Sequence, residues 1–316
     1  MRVILDTDPS MGSPGSEIDD GFAIALMAAD DVFQLDLVTS VNGNIDVESA
    51  TYISLELLER LGRTDVPVVR GAAAPLAEPE KVRSAPQEIR DRFGHHRPAP
   101  GYAAAEIAQR VTEAPGEITV VAIGPLTNIA AAIALDARVA TSVREIVVMG
   151  GVFLGQTNRR DKPGEFNWWM DAHAARAVMR SGAPVRLVGL DVTLQVRLTR
   201  EHAAAMAAGG RPFGEFAGQC TIGWLDRLAR EHPSDPGAGQ SCAMHDPLAV
   251  AAVSRPELLT WAPAHVDVVT GDDIGRGVAI ADFLATGNAP APNAQVATDV
   301  DADAFMSYFL DRIAAY

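Results

Sequence analysis

Carboxylates crowd the first twenty residues. Asp6 and Asp8 close an apolar run, Val3-Ile4-Leu5, and the adjacent pair Asp19-Asp20 follows a loop rich in Gly, Pro and Ser. Asp favours the positive end of a helix dipole, so capping accounts for one member of the pair, but for neither Asp6 nor Asp8. Carboxylates held together repel one another unless a cation or shared protons offset the cost. An oxygen-only set, with no Cys or nearby His, suits Ca²⁺ or Mg²⁺ better than zinc. The residues alone therefore point to a divalent cation. Other polar groups recur at the ends of later apolar runs: Asn42-Gly43-Asn44, Gly124-Pro125-Leu126-Thr127-Asn128, and Met149-Gly150-Gly151 with Glu165-Phe166-Asn167 beyond. His245-Asp246-Pro247 opens a helix late in the chain.

The elements that must position these groups alternate. Strands are expected at residues 3–5, 35–41, 66–69, 118–123, 146–149 and 185–190, and helices at 18–29, 47–61, 126–135 and 171–180. Strands that are continuous apolar runs, each followed by a helix, indicate parallel βαβ units covered on both faces. The first two thirds thus reads as α/β and doubly wound. Residues 201–230 read as Ala-rich helix, 246–253 as a further helix, 264–269 and 277–280 as strands, and 302–315 as a closing helix. Residues 77–101 are Pro-rich, charged and weakly periodic, the pattern of a mobile loop or lid beside a site. Length alone gives a prior of two domains, but no linker divides the chain, so residues 1–316 read as one. In open α/β sheets ligands bind outside the carboxyl ends of the strands, which is where the polar groups fall.

Composition removes several classes. Lys and Arg number 26 against 41 Asp and Glu, a net charge of −15. That excludes nucleic acid and anionic membranes as partners, since both need a basic face. The first apolar run stops at Asp6, too early for a signal peptide, and no run approaches the ~20 residues of a membrane span. Cys220 and Cys242 are too few for a disulfide framework, so a cytoplasmic location is expected.

Two families share parts of this pattern. Asp6-Thr7-Asp8-Pro9-Ser10 is similar to the opening of haloacid-dehalogenase-like, Mg²⁺-dependent phosphatases, which implies Asp6 as a nucleophile. That family also needs a lysine for the phosphate. The two lysines here, Lys81 and Lys162, sit in an irregular loop and just before Pro163-Gly164-Glu165. A dianionic phosphate also asks for more positive charge than the chain offers. The whole set resembles instead the inosine–uridine nucleoside hydrolases, the ribonucleoside N-glycosidases. Its carriers are Asp6-Thr7-Asp8-Pro9, Asp19-Asp20, Gly43-Asn44, the run from Ile123 to Ala130, Val148-Met149-Gly150-Gly151, Glu165-Phe166-Asn167 and His245-Asp246-Pro247.

The resemblance implies a single Rossmann-like α/β domain with a mixed, mostly parallel central sheet flanked by helices, assembled as a homodimer or homotetramer. It implies one Ca²⁺, held by the side chains of Asp8, Asp20 and Asp246 and the main-chain carbonyl of Thr127. The implied reaction hydrolyses the N-glycosidic bond of a ribonucleoside to ribose and free base. Positive charge then develops on the ribose ring, which a carboxylate-rich pocket stabilises. Asp8 is implied as general base, Asp19 and Asn44 as contacts to ribose hydroxyls, and Glu165 and Asn167 as contacts reaching the 5′ side. Met149 is implied beneath the ring, and His245 near the leaving base as general acid or contact. The non-enzymatic alternative is a nucleoside- or sugar-binding protein that kept the pocket without turnover.

The chain departs from the family pattern in two places. Ser10 to Ile18 intervene before the Asp pair, and Gly12 and Gly15 would let this insertion bulge outward and return the pair to the site. Where the family has a His-Gly-x-x-Gly-like segment, this chain has Phe93-Gly94-His95-His96-Arg97-Pro98, making His95 or His96 a substitute or else a solvated loop histidine. Asn158, ahead of Gln156, is the expected 5′-hydroxyl contact, although Arg159, Arg160 and Lys162 beside it suit an anionic group. Trp224 is the expected base-stacking residue, ahead of Trp168 and Trp169.

Overall fold

The structure, a computed structural model, describes residues 1–84, 86–155, 164–271, 274–284 and 286–316. Among these residues the strands are β1 (Arg2–Thr7), β2 (Gln34–Ser40), β3 (Val68–Arg70), β4 (Ile118–Ala122), β5 (Glu145–Met149), β6 (Val185–Val188), β7 (Arg197–Thr199), β8 (Ser241–Ala243), β9 (Leu259–Val268), β10 (Ala279–Asp282) and β11 (Ala294–Val300). Nine form one sheet in the order β10-β9-β11-β6-β5-β4-β1-β2-β3, and β7 pairs with β8 outside it. Pairing is parallel from β3 through β6 to β11, and antiparallel from β11 to β9 and from β9 to β10. The sheet is therefore mixed and mostly parallel.

Alternation along the strands divides the core. Val3 and Leu5 of β1, Val121 of β4 and Val147 of β5 face one side, with Phe22 and Leu26 of the helix Asp19–Ala29 and Leu248 of the helix His245–Ser254. Ile4, Val120, Ile146 and Val148 face the other, with Ile107 of the helix Ala103–Glu113, Ile129 of the helix Thr127–Leu135 and Val178 of the helix Ala172–Met179. Both faces are covered, which is why these strands are apolar along their middles, Thr119 of β4 excepted. The order β3-β2-β1-β4-β5-β6 reverses direction between β1 and β4, and that switch point opens a crevice at the carboxyl ends of the two strands. Asp6 pairs in register with Ala122 of β4 and Thr39 of β2, so β1 delivers its carboxylates to this crevice.

Several elements differ from the sequence expectation. Strand β11 and the helix Ala103–Glu113 have no counterpart in it. β11 reads AQVATDV and is partly exposed, so its pairing with β9 and β6 rather than an apolar run defines it. The expected helix at 201–230 is two, Arg200–Ala208 and Pro212–Glu231, broken at Gly209-Gly210 with Pro212 starting the second. Segment 77–101, irregular by sequence, contains the 3₁₀ turn Pro79–Lys81 and the helix Gln87–Phe93. No helix among the described residues is long and apolar enough to cross a membrane.

The Phe22 ring is fully buried, edge-on to Phe213 at 5.8 Å and to Phe309 at 5.6 Å. Phe22→Ala is expected to cost about 3–5 kcal/mol in urea unfolding, from lost burial plus the cavity left behind. A loss below about 1 kcal/mol would show that the helix does not pack here as described.

Candidate active site

The backbone of β1 sorts its polar side chains. Asp6 points to the face of the helix Thr127–Leu135, where its Oδ1 accepts hydrogen bonds from Asn128 Nδ2 at 2.7 Å and Thr39 Oγ1 at 2.5 Å. Thr7 points the opposite way and donates to Asp20 Oδ1 at 2.6 Å. Asp8 leaves the strand, and its N–H donates to the same Asp20 oxygen at 3.1 Å. Asp8 Oδ2 accepts from the Asn44 N–H at 2.6 Å, while Oδ1 is buried and has no protein partner. Asn44 Nδ2 donates to Asp20 Oδ2 at 3.0 Å. Oxygens of Asp19, Asp20 and Asp246 lie within 4.8 Å of one another.

The insertion at 10–18 therefore returns the Asp pair to the crevice. Gly12 and Gly15 adopt φ of +101° and +65°, in the left-handed region that Gly tolerates best. Ser10 Oγ bonds the Glu17 carbonyl, and Arg92 and Arg227 donate to the Gly12 and Gly15 carbonyls. Met11 is fully buried beneath the bulge.

Burial sets the electrostatics. Loss of water, followed by the charges of Asp20 and Asp19, pushes the Asp8 carboxyl well above the ordinary range. Burial, then Glu17 and Asp20, does the same for Asp19; burial, then Asp19, Asp20 and Asp8, does so for Asp246. Asp20 also rises with burial, against the hydrogen bonds that it accepts. A hard divalent cation fits this donor set: every candidate ligand is oxygen, the Asp8 Oδ1 atom is unpartnered, and positive charge would remove the mutual repulsion. Thr127, the proposed carbonyl donor, opens its helix just beyond β4, with its hydroxyl on Asp171 Oδ2 at 2.7 Å.

On the β5 side, Glu165 caps the helix Phe166–Met170 and accepts from the N–H groups of Asn167, Trp168 and Gly151. Burial outweighs those bonds and lifts its carboxyl to about 7. Asn167 Nδ2 donates to the Ile123 carbonyl at 2.8 Å and lies 3.7 Å from Met149 Sδ, so Met149, Glu165 and Asn167 are joined. A cavity of about 170 Å³ beside the carboxylates is lined by Glu17, Asp19, Arg197, Trp224, Cys242 and His245. His245 Nδ1 lies 2.7 Å from Thr193 Oγ1, and burial, aided by Arg197, lowers its pKa to about 4.

The remaining expected residues divide. Asn158 lies outside the described residues, as do Gln156, Arg159, Arg160 and Lys162. Trp168 is sealed in the core against Phe153, and Trp169 is stacked on Phe166 beneath Lys81, so among the tryptophans Trp224 is the one lining the cavity. His95 and His96 do not join the site, because His96 pairs with Glu56 on the helix Val47–Arg60. Asp6 is fully buried between Thr39 and Asn128, with burial raising its carboxyl to about 7, so it is no exposed nucleophile of the phosphatase type. Lys81 Nζ bonds the Trp169 carbonyl at 2.7 Å.

Sequence reasoning missed several supports. Asn128 joins Asp6, the Ser40 carbonyl and the Ala72 N–H. Asp171 caps the helix Ala172–Met179 while holding Thr127 and the Leu76 N–H. Asp191 accepts from the N–H groups of Phe153, Leu154 and Gly155. A cap signal marks Asp171, since it precedes an Ala-rich helix, but the other partners are distant in sequence.

The chain matches the family described as inosine-uridine preferring nucleoside hydrolase over residues 3–307. It is 31% identical to the pyrimidine-specific ribonucleoside hydrolase RihA of Citrobacter koseri, across 100% of this chain and 99% of that one. Among solved structures it is similar to a plant nucleoside hydrolase, at TM-score 0.86 and 28% identity, covering 100% of this chain and 99% of that one. A purine-preferring ribonucleoside hydrolase from Gardnerella vaginalis gives TM-score 0.86 and 28% identity, covering 100% and 98%.

Glycines shape the space around Asp8. A methyl group on Gly43 would overlap Asp8 Oδ2 and stand 2.8 Å from Pro125 Cδ, whereas one on Gly223, inside the helix Pro212–Glu231, would meet nothing within 4 Å. Gly43→Ala is expected to destabilise by about 1–3 kcal/mol, as overpacking does. Gly223→Ala is expected to stabilise by up to about 1 kcal/mol through helix propensity. Urea unfolding of both variants checks the contrast; equal effects would mean that the Asp8 cradle is not tight.

Proposed function

The chain belongs to the inosine-uridine preferring nucleoside hydrolase family, and on that premise we propose that it cleaves the N-glycosidic bond of ribonucleosides in a Ca²⁺-dependent reaction, releasing ribose and the free base. The observation that carries this reading is the gathering of Asp8, Asp19, Asp20 and Asp246 at the switch point of the sheet, beside the cavity lined by Trp224 and His245.

As the C1′–N bond lengthens, the ribose ring gains positive charge. Buried carboxylates favour that charge over the neutral ground state, which is the difference that accelerates a reaction. Asp8 acts as general base: the Asn44 N–H holds its Oδ2, and Oδ1 takes the proton of the attacking water. Asp8, Asp20, Asp246 and the Thr127 carbonyl would hold the Ca²⁺, which when bound offsets their repulsion, orients the ribose hydroxyls and acidifies a water. Asp19 accepts from a ribose hydroxyl. Asn44 does so through its amide oxygen, since its side-chain nitrogen already donates to Asp20. Glu165 and Asn167 hold the 5′ side of the sugar, and Met149 supports the ring from below. Asn158 takes the 5′-hydroxyl in the same reading, on the strength of the resemblance alone.

His245 serves the leaving base. With its pKa near 4 it is neutral at pH 7, so it acts as a hydrogen-bond partner rather than a pre-charged acid. When Thr193 donates to Nδ1, Nε2–H donates a hydrogen bond to the departing nitrogen, which takes its proton from solvent water. Trp224 offers a face for stacking at the same cavity. A homodimer or homotetramer in the cytoplasm completes the reading, by family resemblance.

Asp8→Asn is expected to fold normally and to release reducing sugar about 10²–10⁴-fold more slowly, the usual worth of a general base. The substrate panel is inosine, adenosine, uridine and cytidine, because the named preferences of the two relatives, pyrimidine for RihA and purine for the Gardnerella enzyme, differ. Binding without ribose release from any nucleoside would replace the hydrolase reading with a binding protein; full activity in Asp8→Asn would remove Asp8 as base.

Metal-stripped protein is expected to lose activity and to regain it with added Ca²⁺. Its unfolding free energy should rise by about 2.7 kcal/mol at a free concentration one hundred times Kd. Activity and thermal midpoint both indifferent to chelator and to Ca²⁺ would eliminate the metal.

A further inference from the structure

The pair His95-His96, in the turn after the helix Gln87–Phe93, packs against Glu56 on the distal half of the helix Val47–Arg60. Ten residues separate Glu56 from the cap residue Asp46, about 15 Å along the helix. One nitrogen from each imidazole and one Glu56 oxygen lie within 4.8 Å of one another. His96 Nε2 is 2.8 Å from Glu56 Oε2, with side chains 9% and 13% exposed, and the two imidazole rings are 4.2 Å apart.

The surrounding bonds orient these groups. His95 Nδ1 is 3.1 Å from the Arg92 carbonyl, which can only accept, so Nδ1 carries the proton and Nε2 of the neutral ring keeps its lone pair. Glu56 Oε1 accepts from Arg60 Nε at 2.8 Å, and Oε2 accepts from His96 Nε2–H at 2.8 Å, a bond that a metal replaces with release of that proton. Metal-binding histidines usually give their other N–H to a carbonyl or carboxylate, and metal-binding carboxylates are themselves hydrogen-bonded. Glu59 Oε2, 3.8 Å from His96 Nδ1, adds negative charge.

We infer that Glu56, His95 and His96 form a second metal site, separate from the carboxylate cluster and selective for Zn²⁺ or a similar transition-metal dication. Two imidazoles and one carboxylate are a zinc donor set that leaves the fourth position to water. The oxygen-only cluster prefers a hard cation instead, so the two sites divide metals by donor chemistry. A metal here ties the turn at 94–97 to the helix Val47–Arg60. It thereby anchors one end of segment 77–101, whose earlier part reaches the main site through Arg83 N–H on Asn42 Oδ1 and Arg83 Nε on the Gly43 carbonyl.

The test titrates full-length protein, in excess Ca²⁺, with Zn²⁺ against a chromogenic chelator, and with Co²⁺ for its visible d–d bands. One Zn²⁺ per chain is expected in the unaltered protein and in Asp246→Asn. In His95→Asn the affinity should fall roughly 100-fold, because outer-shell partners alone are worth about 10–100-fold. His95 is exposed and its replacement leaves the His96–Glu56 bond, so circular dichroism should be unchanged. Absence of stoichiometric Zn²⁺, binding indifferent to His95→Asn, or binding lost in Asp246→Asn would each overturn the site.

Discussion

Four buried carboxylates meeting at one point are costly, because like charges in a dry environment repel strongly and each also loses its hydration. The fold bears this by distributing compensation through the backbone and neighbouring elements. Asp20 is the best compensated, with the Thr7 hydroxyl, the Asp8 N–H and the Asn44 amide all donating to it. Asp8 has one oxygen satisfied and one left over, and Asp19 and Asp246 stand against Asp20. The remaining deficit is a demand for positive charge. A bound dication and a developing oxocarbenium meet the same demand, which is why one cluster serves both in the proposed reaction.

That arrangement depends on the alternation of β1. Successive side chains leave a strand on opposite faces, so Asp6 reaches Asn128 on one side of the sheet and Thr7 reaches Asp20 on the other. Asp6 works through this wiring rather than by contact with a ligand: it fixes Asn128, and Asn128 fixes the Ser40 carbonyl and the Ala72 N–H. The absence of side chains at Gly43 and Gly124 then lets neighbouring loops close on the Asp8 carboxylate.

Segments that look peripheral in sequence are bound into the same frame. The Trp169 carbonyl accepts from Lys81 Nζ at 2.7 Å and from Arg276 Nε at 3.3 Å. Arg276 in turn forms an ion pair with Glu78, largely buried from solvent. The start of segment 77–101 and the turn before β10 thus brace the short helix that carries Asn167 and is capped by Glu165. Its far end rests on the helix Val47–Arg60 through His96 and Glu56.

The sequence by itself determined the α/β alternation, the carboxylates at the end of the first strand and the recurrence of polar groups at later strand ends. Those signals are local: apolar runs bounded by Asp, Gly and Asn report burial and strand termini directly. Strand order, the switch point and the return of Asp19-Asp20 after the insertion were decided by tertiary structure, because they depend on pairings between residues far apart in the chain. The same holds for the separation of Trp168 from Trp224 and of His95-His96 from the carboxylates: each has the right chemistry in sequence, and only packing settles which surface it faces. Strand β11 was illegible for a related reason, since its polar, half-exposed residues become a strand through hydrogen bonds supplied by β9 and β6.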